Sequence, residues 1–128
     1  MAPFSVKLDP DGYVSMRLEG DLSSENFDSL KETVEEAKSV VKKFSEGKRG
    51  MVPVLFDLSG FTGVYNVGAM MAMKDLSDHN RPFVKKTAVF GGSPLARVAA
   101  ELTIEFINDP TIRMFQDRDS ALEWLLKP

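Results

Sequence analysis

VLFDLSGFTGVYNVG, residues 54–68, is the stretch that decides the fold of this chain. It reads as a buried strand, a polar exit, a loop broken by Gly60, Gly63 and Gly68, and the start of a helix. Strand, exit and helix in that order place backbone N–H groups and small polar side chains at the carboxyl end of a sheet strand, where α/β folds usually carry their sites. The stretch has neither a phosphate-cradling glycine–lysine signature nor a nucleophile elbow.

Upstream, residues 52–58 form a nearly continuous apolar run, as expected of a strand covered on both faces, with Pro53 at its start where a missing donor does least harm. Before it, residues 4–8 and 13–18 are short alternating runs joined by Asp9-Pro10-Asp11-Gly12, which is turn chemistry and predicts a hairpin. Gly20 and Asp21 close the second strand, and Ser23 or Ser24 caps a long helix. Phe27, Leu30, Val34, Ala37, Val41 and Phe44 make one apolar stripe on that helix, opposite lysine and glutamate, and Gly47 ends it.

Downstream, a second helix spans about residues 65–77 and a strand follows at 86–90. Gly91-Gly92-Ser93-Pro94 supplies flexible exit glycines, a serine cap and proline at the first helical position. The third helix covers 94–107, a last strand 111–115, and a final helix capped by Asp117 or Asp119 runs through Leu126, with Trp124 pinning it to the core. After the hairpin every connection contains a helix, which requires parallel strands and right-handed crossovers. The expected fold is a single α/β domain over residues 1–128, a five-stranded mixed sheet with four helices.

Composition fits that reading. At 128 residues the chain is one domain, with 43% hydrophobic and 27% charged residues, ordinary for a soluble globular protein. No apolar run approaches the ~20 residues of a membrane span. Residues 1–7 lack the charged-then-apolar pattern of a secretory signal. Absence of cysteine excludes disulfide and thiol chemistry and suits a cytoplasmic protein. A net charge of −3 argues against nucleic-acid binding by phosphate neutralisation.

Several residues together resemble the STAS domain of anti-sigma-factor antagonists, in its SpoIIAA-like branch. Arg17-Leu18-Glu19-Gly20-Asp21-Leu22 is similar to the family's strand ending in Gly-Glu/Asp-Leu. Leu30-Lys31 matches a pair in its first helix, Phe56-Asp57-Leu58 its strand before the functional loop, and Ser93-Pro94 the opening of its third helix. The resemblance implies the same fold and a regulatory binding role. Family antagonists carry Asp-Ser-Ser-Gly in that loop, with a serine phosphorylated by a partner kinase. Aligned on Gly68, this chain has Tyr65-Asn66-Val67-Gly68, so Asn66 stands at the acceptor position without a hydroxyl. The branch also resembles Sec14 or CRAL-TRIO domains, which implies a small apolar, lipid-like ligand as the alternative role.

Candidate contact residues for ligand or partner are Asp57, Ser59, Phe61, Tyr65, Asn66, Met70, Gly91 and Ser93. Asp57 and Ser59 also suit simple loop capping. Met70, Met71 and Met73 suit either core packing or a deformable pocket wall. On the third helix, Leu95, Val98, Ala99, Leu102 and Phe106 are expected to face the sheet. Ala96, Ala100, Ile104 and Ile107 then form a second apolar side that meets another helix, a ligand or a partner chain. Ile104 and Ile107 on that side are the candidate interface of a homodimer. His79, the single histidine, suits a solvated role at a helix end. With one histidine and no cysteine the chain offers a poor transition-metal set, and no triad can be assigned. No cofactor, metal or catalytic residue is expected.

Overall fold

The structure, a computed structural model, describes residues 3–128. Strand β1 (Phe4–Asp9) pairs antiparallel with β2 (Tyr13–Leu22) across the expected Asp-Pro-Asp-Gly turn. Asp9 Oδ1 accepts from Asp11 N–H and Gly12 takes a positive φ, so the turn is held by its own side chain and its glycine. There follow α1 (Phe27–Ser45), β3 (Val52–Tyr65), α2 (Val67–Asn80), β4 (Val84–Phe90), α3 (Pro94–Ile107), β5 (Ile112–Phe115) and α4 (Arg118–Leu125). The sheet order is β1-β2-β3-β4-β5, antiparallel in the hairpin and parallel thereafter, which is the five-stranded mixed sheet with four helices.

Two boundaries near α1 differ from the sequence reading. Strand β2 continues past Gly20 and Asp21 to Leu22, because its end finds a partner in an extended β3. A short 3-10 turn, Ser24–Asn26, precedes α1, and the helix is entered at Asn26 without a side-chain cap. Asn26 Nδ2 instead donates to Asp21 O at 2.9 Å, tying the turn to the strand end. The residue at the cap position of α1 is therefore Asn26 rather than Ser23 or Ser24; the side chain of Ser24, like Met1 and Ala2, lies outside the described residues. Helix α1 leaves through left-handed Glu46 and Gly47.

Strand order and crossover handedness dictate the layers. Right-handed crossovers along strands that advance in one direction put every connecting helix on the same face. Helices α1, α2 and α3 accordingly pack on one face, over Val14, Met16, Leu18, Val54, Leu58 and Val89. Helix α4 follows the last strand and turns to the other face, against Tyr13, Leu55, Ala88 and Phe90. Within α1 the buried set contains Leu30, Val34, Ala37 and Val41, and Phe27 and Phe44 pack beside them, as the single stripe requires.

Candidate functional site

The polar exit of β3 is built by its own side chains. Asp57 Oδ1 accepts from Ser59 N–H at 2.7 Å and bends the chain there. The expected glycine-broken loop over 59–68 is not a loop: β3 continues to Tyr65, pairing Glu19 with Gly60, Gly20 with Phe61 and Leu22 with Tyr65 through two register shifts. The extended end of β2 supplies the backbone partners, and the bulged register absorbs the bend. Thr62 Oγ1 donates to Asp21 Oδ1 at 2.5 Å and accepts from Val64 N–H at 3.1 Å, which pins the extension from the side. Arg17 Nε lies 2.9 Å from Glu19 Oε1 and 4.0 Å from Asp57 Oδ2, a guanidinium beside two carboxylates at the same edge.

Glycines let the neighbouring exits close on this edge. A Cβ on Gly91, which has a positive φ, would come within 2.8 Å of Ser59 Oγ; one on Gly63 would come within 2.8 Å of Leu95 Cγ and 2.9 Å of Ala96 N. Strand β3 therefore touches the backbone of the first turn of α3, where no side chain fits between them. Ser93 caps α3 as expected, accepting from Ala96 N–H at 3.2 Å. Arg97 Nη1 donates to Gly91 O and to Phe115 O, tying the exits of β4 and β5 together.

That close approach reverses the predicted faces of α3. Ala96 and Ala99 are buried, and Ala100, Ile104 and Ile107 pack inward with them. Leu95, Val98, Leu102 and Phe106, expected to face the sheet, are 59%, 52%, 51% and 43% exposed. An alanine stripe allows the helix to sit against the strand backbone, whereas a leucine stripe would hold it away. Ile104 and Ile107 are thus part of the interior rather than a surface available to a second chain. The apolar side left to solvent is the other one.

Asn66 caps α2, its Oδ1 accepting from Ala69 N–H at 2.8 Å, so the residue at the family's acceptor position has a structural task. One turn on, the methionines divide: Met73 is buried, Met71 is 58% exposed, and Met70 lines a cavity. This cavity, about 130 Å³, lies between the sheet and helices α2 and α3. Phe61, Tyr65 and Met70 form its wall near the carboxyl edge of the sheet. Its origin is the inward face of α3, where Ala99, Ala100 and Thr103 are too short to fill the space above the strands.

The far end of the cavity is polar. Helix α2 runs back along the sheet, so its last turn brings Ser77, Asn80 and Arg81 to the amino edge, beside Asp109. Asp109 Oδ1 accepts from Thr111 N–H and Oγ1–H, and Arg81 Nε lies 3.7 Å from Asp109 Oδ2 while its Nη2 donates to Ile107 O. Asn80 is 4% exposed, and its Oδ1 has no donor among the described residues.

The candidate residues thus fall into two groups. Asp57, Ser59, Gly91 and Ser93 belong to the strand and helix termini at the carboxyl edge, with Asn66 on the cap of α2; Phe61, Tyr65 and Met70 line the cavity. Sequence reasoning missed Asn80, though a signal existed: Ala69, Met73, Leu76 and Asn80 share one stripe at spacings of four, three and four, and a polar residue on an apolar stripe is buried with it. His79 is exposed in the last turn of α2. Among the described residues no group of three or more histidine or acidic side chains could hold a metal ion, and no helix is long and apolar enough to cross a membrane.

Comparison with known proteins places these features. A model of the SpoIIAA-like family matches residues 13–126. No curated protein matches the sequence. Among solved structures, an anti-sigma factor antagonist from Mycobacterium paratuberculosis is similar, with a TM-score of 0.67 at 15% identity over 97% of this chain and 95% of that one. A Shewanella loihica protein with a SpoIIAA-like fold gives 0.64 at 20% identity, over 95% and 91% of the two chains. The unphosphorylated form of the antagonist SpoIIAA gives 0.58 at 11% identity, over 94% and 96%.

Proposed function

The chain belongs to the SpoIIAA-like family, and from that premise we propose that it is a non-catalytic regulatory domain that docks a protein partner on the open face of α3 and the adjoining end of β3 and α2. The observation that carries this reading is the exposed stripe Leu95, Val98, Leu102 and Phe106. Four large apolar side chains along one side of a helix are an unusual expense of surface on a small domain and mark an interaction site. Val64, Val67 and Met71 add exposed apolar side chains on the β3 extension and the first turns of α2. Asp57, Ser59, Asn66, Gly91 and Ser93 frame the contact at the carboxyl edge. Asn66 offers no hydroxyl to a kinase, so regulation acts through binding rather than through a phosphate at that position.

The partner proposed is a second copy of the chain, in a twofold dimer, the commonest arrangement of soluble homo-oligomers. Self-association passes from Ile104 and Ile107 to the opposite side of α3. Sedimentation velocity is the test. Wild type forms a dimer at high micromolar concentration, and Val98→Glu with Leu102→Glu gives a folded monomer with an unchanged far-UV circular dichroism spectrum. A wild type that stays monomeric there rejects the second copy as partner.

A second reading, that the domain carries a small apolar molecule, is supported by the cavity. Its size narrows the guest. Void space of about 150 Å³ accommodates a single benzene ring, and drug-sized sites run from about 300 Å³ upward. At about 130 Å³ the space suits a single ring or short branched chain and not a fatty acyl chain.

A further inference from the structure

We propose that the cavity under α2 and α3 takes a small amphiphile, a single-ring or short branched apolar body bearing one hydroxyl, and that the Asn80 carboxamide is its polar anchor. The inference rests on the second reading above, that the cavity takes an apolar guest, and adds the headgroup and the residue that selects it.

The argument begins with the walls. Val54, Phe56, Leu58 and Val89 from the sheet, Met70 and Met73 from α2, and Ile104 and Ile107 from α3 make the body of the cavity apolar. These side chains offer no hydrogen-bond donor to a polar guest; Tyr65 and Thr87 are the hydroxyl-bearing residues along that length. At the amino edge the charged and the fully buried lining groups are, with one exception, answered within the chain, while Ser77, like Thr87, adds a hydroxyl on a partly exposed residue. Asp109 is held by Thr111 and faces Arg81; Thr103 Oγ1 donates to Ala99 O at 2.9 Å; Arg81 reaches Asp109 and Ile107 O.

Asn80 is the exception. It ends the stripe by which α2 lies on the sheet, it is 4% exposed, and its Oδ1 receives no hydrogen bond from any of the described residues. Leaving a buried acceptor without a donor is costly, and native structures answer most such groups with a protein partner, a water or a ligand. A leucine there would continue the stripe of Ala69, Met73 and Leu76 at no such cost. A hydroxyl both donates and accepts, so it can answer a carboxamide from either end. Arg81 and Asp109 face each other at 3.7 Å, so neither charge at this edge is left over to hold an ion of opposite sign. A neutral hydroxyl on an apolar body is the headgroup that fits.

The experiment compares phenol with toluene, rings of matched size with and without the hydroxyl. Each is titrated into wild type and Asn80→Leu, followed by the methyl resonances of Val89 and Ile104. The phenol-to-toluene affinity ratio is expected to fall about tenfold in the variant, the size of one well-made hydrogen bond. Asn80→Leu replaces an unanswered amide by an apolar group, so it should fold at least as stably as wild type. The wild type alone gives a second readout: the Asn80 side-chain amide resonances move with phenol and stay in place with toluene. If both rings bind and neither the ratio nor those resonances distinguish them, the anchor is wrong while the cavity reading stands. If neither ring binds at millimolar concentration, the cavity reading falls and the anchor with it.

Discussion

Helices α1, α2 and α3 cover one face of the sheet, and the eight-residue α4 alone covers the other, yet it is the heavily covered face that holds the empty space. Against α4 the packing is closed: Tyr13, Leu55, Ala88, Ala121 and Leu125 are each at most 2% exposed. Phe115 and Trp124 meet with ring centroids 5.4 Å apart, and Lys86 Nζ lies 4.5 Å from the Trp124 centroid. Arg118 Nη2 donates to the Tyr13 hydroxyl at 2.8 Å, and burial pushes that hydroxyl's pKa above its ordinary value. On the other face the alanines of α3 bring the helix close and leave a void beside it. The lesson is that cover and packing are separate quantities. Topology decides how many helices lie on a face, and side-chain volume decides whether they fill it.

The sharpest way to break this comparison is to delete the same chemistry from the closed face. Leu55→Ala should cost about 3–4 kcal/mol, because the surroundings of a 2%-exposed leucine can relax little. Chemical denaturation measures it, and a loss under about 1 kcal/mol would mean that the α4 face is as loose as the other.

Enlarging an alanine on each face sharpens the contrast. Ala121→Leu, at a position with no exposed surface, should overpack and cost about 2 kcal/mol. Ala100→Leu grows into the cavity and should raise stability by about 0.5–1 kcal/mol. Equal signs for the two changes, read from thermal melts, would refute the distinction between the faces.

Within α3, Ile104→Glu turns a carboxylate toward the apolar wall and should cost about 2 kcal/mol without altering sedimentation, whereas Leu102→Glu on the open side should stay within about 0.5 kcal/mol of wild type. The reverse ranking would restore the face assignment that the sequence suggests.

The smallest effect concerns the outer surface of the helical layer. Lys38 of α1 lies 2.7 Å from Asp75 of α2 and 2.8 Å from Glu35. Its hydrogen bonds to Asp75 and then Glu35 raise its pKa above the ordinary lysine value, outweighing burial. A raised lysine pKa stabilises the fold fully below the unfolded-state value and loses that contribution as the pH climbs through the folded-state value. The Lys38 side chain is only 15% exposed, but those of Glu35 and Asp75 are more than 60% exposed and solvent screens the contact. Lys38→Met should therefore cost about 0.5 kcal/mol at neutral pH, with the difference from wild type closing in strongly alkaline solution. A gap that persists unchanged there would assign the cost to lost packing of the lysine stem.

Local chemistry in the sequence was enough for the hairpin turn at Asp9–Gly12, the serine cap and proline start of α3, the covered strand at Val52–Leu58 and the inward face of α1. Each depends on residues a few positions apart. A turn needs its own aspartate and glycine, and a helix with one apolar stripe has one way to lie down. Helical connections after the hairpin then required the later strands to run parallel with right-handed crossovers; their order in the sheet came from the structure. What only the tertiary structure decided were choices between local equals. Helix α3 is apolar on two sides, and its periodicity cannot rank them; the approach of Gly63 to Leu95 and Ala96 does, because only the alanine side tolerates backbone at that distance. Ser59–Tyr65 reads as a loop until the end of β2 offers it a ladder. The cavity is the sum of small side chains from α3 facing the sheet across several strands, and Asn80 becomes a site residue only because α2 carries it to the end of that space. Periodicity records which side chains share a face, but the volume left between two faces is set by how closely their backbones approach.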